Sequence, residues 1–407
     1  MRLRQAGLLI IVIALAGFAS WRVVVTGIAD RLANGAPEQS LQLDPGDPDA
    51  MLRVARQRLQ DGDTEGAASI ARELLREEPL TGEAFVVLAR AVEAAGDNAK
   101  AEALYPIAVR RAPRNVYARA WLIGDLLNRQ KYADALAQFD VLFRLSPGQA
   151  QKLLPIFAQL AESSDFEQAL VVGVGSTSWK TVMYSSLLER GNHDVVDRFF
   201  GELLRQGNLP DEAVGRWLDW LMQRGFWDEA YARWAGWLKL APGVPLPLLF
   251  NGGFETEPSG IGFDWRIRPT AGVAIERESK QGATGALALN VRFSGRRVPE
   301  INLEQRLLLS SGNYILSFRA RAESLHSDKG LQWVVRCVAA SEPLAVSASL
   351  EGSFEWKRFE APFAVPDKDC PSQQIWLRNP GAAAAGKDVV GDIWFDDFAI
   401  VSAASAQ

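Results

Sequence analysis

Two hydrophobic rhythms divide this chain. Up to about residue 240, apolar residues recur at three- and four-residue intervals, the spacing of one face of a helix. Beyond it they recur at every second position, the spacing of strands with one covered face. The change falls in "APGVPLPLLF" (241–250), where prolines at 242, 245 and 247 forbid a continuing helix. After it, "NYILSFRARAES" sets Tyr314, Leu316 and Phe318 inward against Ile315, Ser317 and Arg319. "GLQWVVRCVAA", "WKRFEAPFAVP", "QQIWLRNP" and "DIWFDDFAIV" alternate in the same way, separated by turns that carry Gly, Pro and Ser. Roughly ten strands with no helical stretch predict a two-sheet sandwich.

The helical part has a ruler. Prolines stand at 45, 79, 113 and 147, and alanines at 67, 101, 135 and 169, each series stepping by 34. Alanine belongs where paired helices approach most closely, and proline ends each unit because it cannot continue a helix. One such unit cannot bury its apolar stripe alone, so neighbours stack into a solenoid. Small or apolar residues at Val54/Ala55, Leu88/Ala89 and Leu122/Ile123, large ones at Tyr105 and Phe139, and turns reading "DGDTEGA", "AGDNAKA" and "RQKYADA" resemble the tetratricopeptide repeat. The pattern fades in "SSDFEQALVVGVGSTSWKTVMYSS". It returns further on, where Ala230 and Pro242 keep the spacing of Ala67 and Pro79. About four or five units with irregular hairpins between them are expected. The resemblance implies partner binding along the inner helices. Arg56 and Arg90, with Tyr117 and Asn128 nearby, are the candidate contacts for an acidic partner, although their spacing does not match a carboxylate clamp; the alternative is that these arginines are merely solvated. Among the crowded tryptophans of the last unit, Trp217, Trp234 and Trp237 fall on packing positions, while Trp220 and Trp227 are expected to cover the junction with the next domain.

The N-terminus adds an anchor. Arg2 and Arg4 precede an apolar run over 6–21, and apolar character resumes at 23–29 after Arg22. About 20 apolar residues span a bilayer, and a flanking arginine can snorkel to the interface. Positive charge before the span keeps the N-terminus cytoplasmic. The alternative is a signal peptide cleaved near Ala14, Ala16 or Ala19. Either way the body is exported: a single pass through the inner membrane with the bulk in the periplasm, or secretion after cleavage. The expected layout is an anchor over 1–30, a linker over 31–44, an all-α repeat solenoid over 45–244, an all-β jelly-roll sandwich over 245–402 and a tail over 403–407.

Composition then excludes some functions. The 407 residues carry a net charge of −5, so no strong basic field exists to gather nucleic-acid phosphates. Only His193 and His326 are present, which argues against a histidine-rich zinc site and histidine-based catalysis. Cys337 and Cys370 are expected to pair in an oxidising compartment, the alternative being two separate buried thiols.

"NGGFE" with "GFDW", then "YILSFRARA", "WKRFEAPFAVP" and "IWFDDFAI", resemble in order the jelly rolls of galactose-binding-like carbohydrate-binding modules. The whole layout resembles membrane-anchored repeat proteins of bacterial exopolysaccharide and exosortase systems. The first resemblance implies a structural calcium joining the first and last strands, held by Glu255 and Asp396 with Asp397 assisting; such a hard cation takes six to eight oxygens. The alternative is that Glu255 caps a turn and the aspartates are solvated. Glycan recognition needs aromatic faces and planar polar groups. Outward candidates are Trp376 with Gln374 and Arg378, Gln332 with Arg336, Asn302 with Arg306, and Arg292. Trp265, Trp333, Trp356 and Trp394 are assigned to the core. The arginines point to a uronate- or pyruvate-bearing polymer.

Glu300, Glu304, Glu351 and Glu355 are available carboxylates, yet none sits in a motif for the paired-carboxylate chemistry of glycosidases. A non-enzymatic scaffold is therefore expected, with the solenoid docking envelope-assembly proteins and the jelly roll binding polysaccharide. The alternatives are a jelly roll that makes only structural or protein contacts, and a carbohydrate-active enzyme.

Overall fold

The computed structural model describes residues 2–33, 35–175, 177–240, 245–381 and 388–403. The proline-bearing segment 241–244, with Pro242 of the repeat ruler, and residues 404–407 of the expected tail lie outside the described residues. The chain divides into two compact units, 1–195 and 196–407.

The first unit is helical. Helix α1 (Arg2–Ala33) contains a stretch, Ile13–Leu32, long and apolar enough to cross a membrane, a test that a signal sequence also passes. Within the expected linker, α2 (Pro37–Leu43) folds back on α1, and the Ser40 hydroxyl donates to the Ala29 carbonyl at 2.8 Å. Three regular hairpins follow: α3 (Pro48–Gln60) with α4 (Thr64–Glu77), α5 (Gly82–Ala94) with α6 (Asn98–Arg111), and α7 (Val116–Asn128) with α8 (Tyr132–Leu145). Their turns repeat one device. Gly62 and Gly96 take left-handed backbone angles, and Asp63 and Asp97 then cap the next helix by accepting from Gly66 N and Lys100 N. The third turn puts Gln130 in the same conformation, at φ 58°. Ala67, Ala101 and Ala135 are buried, as close helix approach requires, whereas Ala169 is half-buried. Where the ruler fades the chain stays helical in shorter pieces: α9 (Pro147–Gln151), α10 (Leu154–Leu160), α11 (Ser164–Val174) and α12 (Lys180–Arg190).

The second unit takes in α13 (His193–Arg205) from Val196 onward, α14 (Asp211–Gln223), α15 (Trp227–Leu238) and the sandwich. Trp217 and Trp234 are fully buried here. Trp237 is not core: it is half-buried, and its indole N–H donates to Asp211 at 3.0 Å. Trp220 is buried beneath the Arg224 guanidinium. Helix α15 packs on the start of the sandwich, with the Trp234 ring 5.1 Å from Phe250 and 5.5 Å from Phe263. Gly262, at φ 61°, lies where a Cβ would overlap Trp234, so this approach requires glycine.

The strands are β1 (Arg266–Ile267), β2 (Val273–Glu278), β3 (Ala288–Arg297), β4 (Leu303–Leu307), β5 (Gly312–His326), β6 (Gln332–Cys337), β7 (Pro343–Val346), β8 (Gly352–Val365), β9 (Gln373–Arg378) and β10 (Asp388–Ser402). They form two antiparallel five-stranded sheets, in the orders β1-β4-β9-β6-β7 and β2-β3-β10-β5-β8, the two-sheet sandwich expected from the alternation. Phe254, Trp265, Phe318, Trp333, Phe395 and Phe398 fill the space between them. Trp394 is buried, but Trp356 is half-buried on β8, with its N–H on the Gln281 carbonyl at 2.9 Å. Alternation itself puts both on the outer face, since Ile393 and Phe395 on β10 and Phe359, Ala361 and Phe363 on β8 face the core. Cys337 and Cys370 form a disulfide.

Candidate functional site

The outer face of the sheet containing β4, β9 and β6 gathers most of the polar candidates. Successive side chains point to opposite faces of a strand. On β4, Leu303, Gln305 and Leu307 go inward, leaving Glu304 and Arg306 outside. On β9, Ile375 and Leu377 go inward, and Gln374, Trp376 and Arg378 face out. On β6, Trp333, Val335 and Cys337 go inward against Gln332, Val334 and Arg336. Strand register arranges the outward residues in rows: Glu304, Trp376 and Val334; then Arg306, Gln374 and Arg336; with Arg378 opposite Gln332.

A cleft of about 550 Å³ opens on this face, and Trp376, Arg378, Gln374, Arg336, Asn302 and Glu304 contribute to its lining. The Arg336 guanidinium lies 4.7 Å from the centroid of the Trp376 ring, within cation–π range. Arg336 also donates to Gln374 Oε1 at 3.5 Å, and Arg378 donates to Gln332 Oε1 at 2.9 Å. Asn302 is held at φ 58° with its amide on Thr270 Oγ1. Glu304 accepts from the Gln374 amide and from Arg268 at 3.0 Å. Charge therefore does not balance along the cleft. Glu304 is matched by Arg268, while Arg336, Arg378 and the lining Glu300 form no ion pair among the described residues. Arg292 is not part of this group: it lies on β3 of the other sheet and donates to Asp392 at 2.8 Å. Of the four glutamates considered for catalysis, Glu300 and Glu304 line the cleft; Glu355 lies on β8 of the other sheet and Glu351 just before it.

The acidic residues at the ends of the sandwich converge on one loop. Glu255 Oε1 accepts from the backbone N–H groups of Ala286 and Leu287, at 2.9 and 3.2 Å. Asp396 accepts from Thr284 N and Asp397 N, both at 2.7 Å, and Asp397 accepts from the Thr284 hydroxyl at 2.5 Å. A β-bulge after Asp396, with Asp397 at φ 55°, produces this aim. Burial pushes the Asp396 carboxyl above the ordinary carboxylate range, partly opposed by its two backbone N–H donors. Among the described residues no group of three His, Cys, Asp or Glu side chains is placed to hold a metal ion. Glu255 Oε1 and both Asp396 oxygens accept from backbone N–H groups, the arrangement of the turn-capping alternative for Glu255.

In the helical unit, Arg56 is engaged by Glu83 at 2.5 Å, and Glu83 also accepts from Asn115. Arg90 stacks on Tyr117 at 4.1 Å, and Asn128 is exposed at the end of α7. A groove of about 520 Å³ between α8 and α11, with Leu136, Ala169, Val172 and Trp179 in its wall, had no distinct sequence signal beyond Ala169 on the repeat ruler.

No family model and no curated protein matches the chain. Similar solved structures fall on its two parts. TmCBM61 in complex with β-1,4-galactotriose is 21% identical, with 39% of this chain and 99% of that one covered and a TM-score of 0.26. The xylan-binding domain from CBM 22 is 15% identical, with 37% and 92% covered and a TM-score of 0.27. A thermophilic TPR protein of Thermus thermophilus is 19% identical, with 45% and 94% covered and a TM-score of 0.27. These likenesses concern fold alone.

Proposed function

We propose that the chain is a non-enzymatic, membrane-anchored periplasmic scaffold whose jelly roll binds polysaccharide through the β4-β9-β6 face. The supporting observation is that Trp376, Gln374, Arg378, Arg336 and Asn302, singled out for their chemistry, line one cleft although they come from three separate chain segments. An aromatic ring flanked by amides and guanidinium groups offers both a stacking face and planar hydrogen bonding to a sugar. The disulfide suits an oxidising compartment, and the apolar helix over Ile13–Leu32 suits an anchor. The helical repeats would dock partner proteins of exopolysaccharide or envelope assembly, with Arg56, Arg90, Tyr117 and Asn128 on the docking side. Glu255 and Asp396, assisted by Asp397, would hold a structural calcium. Retention of the detergent-solubilised chain on immobilised envelope polysaccharides tests the central reading. Retention that Trp376→Ala abolishes is expected; no retention on any of them contradicts it.

A further inference from the structure

Past the row of Arg306, Gln374 and Arg336, the sheet face runs beneath the turn between α14 and α15. A second cavity, of about 410 Å³, opens there, and its walls include Asp219, Met222, Trp227, Arg266 and Arg306. An ion pair at 2.5 Å between Asp219 and Arg266 ties α14 to β1 and sets this wall. Trp227, the first residue of α15, is half-buried against the cavity. The last helical hairpin thus contributes an aromatic ring to the polar face of the sandwich.

Cations outnumber anions in the cavity wall, where Arg266 and Arg306 face Asp219. Desolvation lowers the proton affinity of Arg306, an effect that Glu304 and Asp219 oppose and Arg266 and Arg336 reinforce. The guanidinium nonetheless stays charged. Its nearest opposite charges are committed elsewhere, Glu304 to Arg268 and Gln374, and Asp219 to Arg266. Among the described residues Arg306 forms no ion pair. A partly buried guanidinium without an ion pair is stabilised by an anion that joins it, and its fork matches a planar carboxylate in a bidentate fashion.

We infer that this cavity is a second sugar subsite for a carboxylate-bearing unit, such as a uronate or a pyruvate ketal, with Arg306 holding the carboxylate and Trp227 the ring face. The glycan would pass from Trp376 across Gln374 into the cavity. The inference rests on the sheet face binding glycan, and it adds a wall that the sandwich alone does not possess.

Calorimetric titration of the full, detergent-solubilised chain with an oligogalacturonide and with its methyl ester separates the two ideas. The wild type is expected to favour the acid roughly tenfold or more over the ester. Arg306→Gln should erase that preference by weakening the acid alone, and Trp227→Ala should weaken both ligands. Should Arg306→Gln lower the melting temperature, Arg306→Lys decides, because it keeps the charge and loses the fork: a surviving full preference overturns the inference. Equal wild-type affinity for acid and ester overturns the subsite but leaves glycan binding at Trp376 standing. No binding of either ligand overturns the subsite, and retention on the immobilised polysaccharides then decides glycan binding at Trp376.

Discussion

Phe254 and Phe398, from opposite ends of the sandwich sequence, meet edge to face with ring centroids 5.9 Å apart. Beside them the Phe398 N–H donates to the Gly252 carbonyl at 2.9 Å. This junction closes the β domain, and it demands the glycine: a Cβ at position 252 would overlap the Phe398 carbonyl. Gly252→Ala is expected to destabilise the second unit by roughly 1–3 kcal/mol in denaturant unfolding. Gly253→Ala, whose Cβ would make only ordinary contacts, should stay within about 0.5 kcal/mol of wild type. Equal effects would contradict the close-approach argument.

The Cys337–Cys370 bond bridges a sequence separation of 33. Chain-entropy reasoning assigns such a closure about 3–4 kcal/mol. Chemical reduction should therefore lower the unfolding midpoint of the second unit while leaving the repeat unit's unchanged. A midpoint indifferent to reductant would show that this bridge contributes little.

Gln130 occupies the position that Gly62 and Gly96 hold in the preceding repeats, with the same left-handed backbone. For a residue with a Cβ that conformation costs roughly 1 kcal/mol. Gln130→Gly is expected to stabilise the helical unit by about 0.5–1 kcal/mol, and Gly62→Ala to destabilise it by a similar amount, both read from urea unfolding.

Calcium at the Glu255–Asp396 loop predicts a linkage effect, since a ligand that binds the folded state raises its melting temperature. Added calcium should raise the melting temperature and chelator lower it, and Asp396→Asn should abolish both responses. A wild-type melting curve that ignores chelator at low free calcium removes the ion from the account.

Local rules made much of this molecule legible. Ala67, Ala101 and Ala135 announced close helix contacts and are all buried, and the helical and β periods marked where the architecture changes. Neighbourhood was harder to read. Glu304 and Trp376 face each other although they lie far apart in the chain, and only strand order puts β4 beside β9 and leaves Arg292 on the other sheet. Burial depth was equally hidden. Trp237 follows the right period and Trp356 is out of phase with the inward Phe359, Ala361 and Phe363 of its strand; both lie where nearby oxygens accept from the indole N–H. The cavity at Trp227 depends on a helical hairpin lying against the sheet, which no single periodicity expresses.

Backbone hydrogen exchange with and without an acidic polysaccharide tests the proposed binding face most directly. Added protection is expected on 303–307, 332–337 and 373–378, and none on 352–365 of the opposite sheet. Protection confined to the opposite sheet, or none on either, would contradict it.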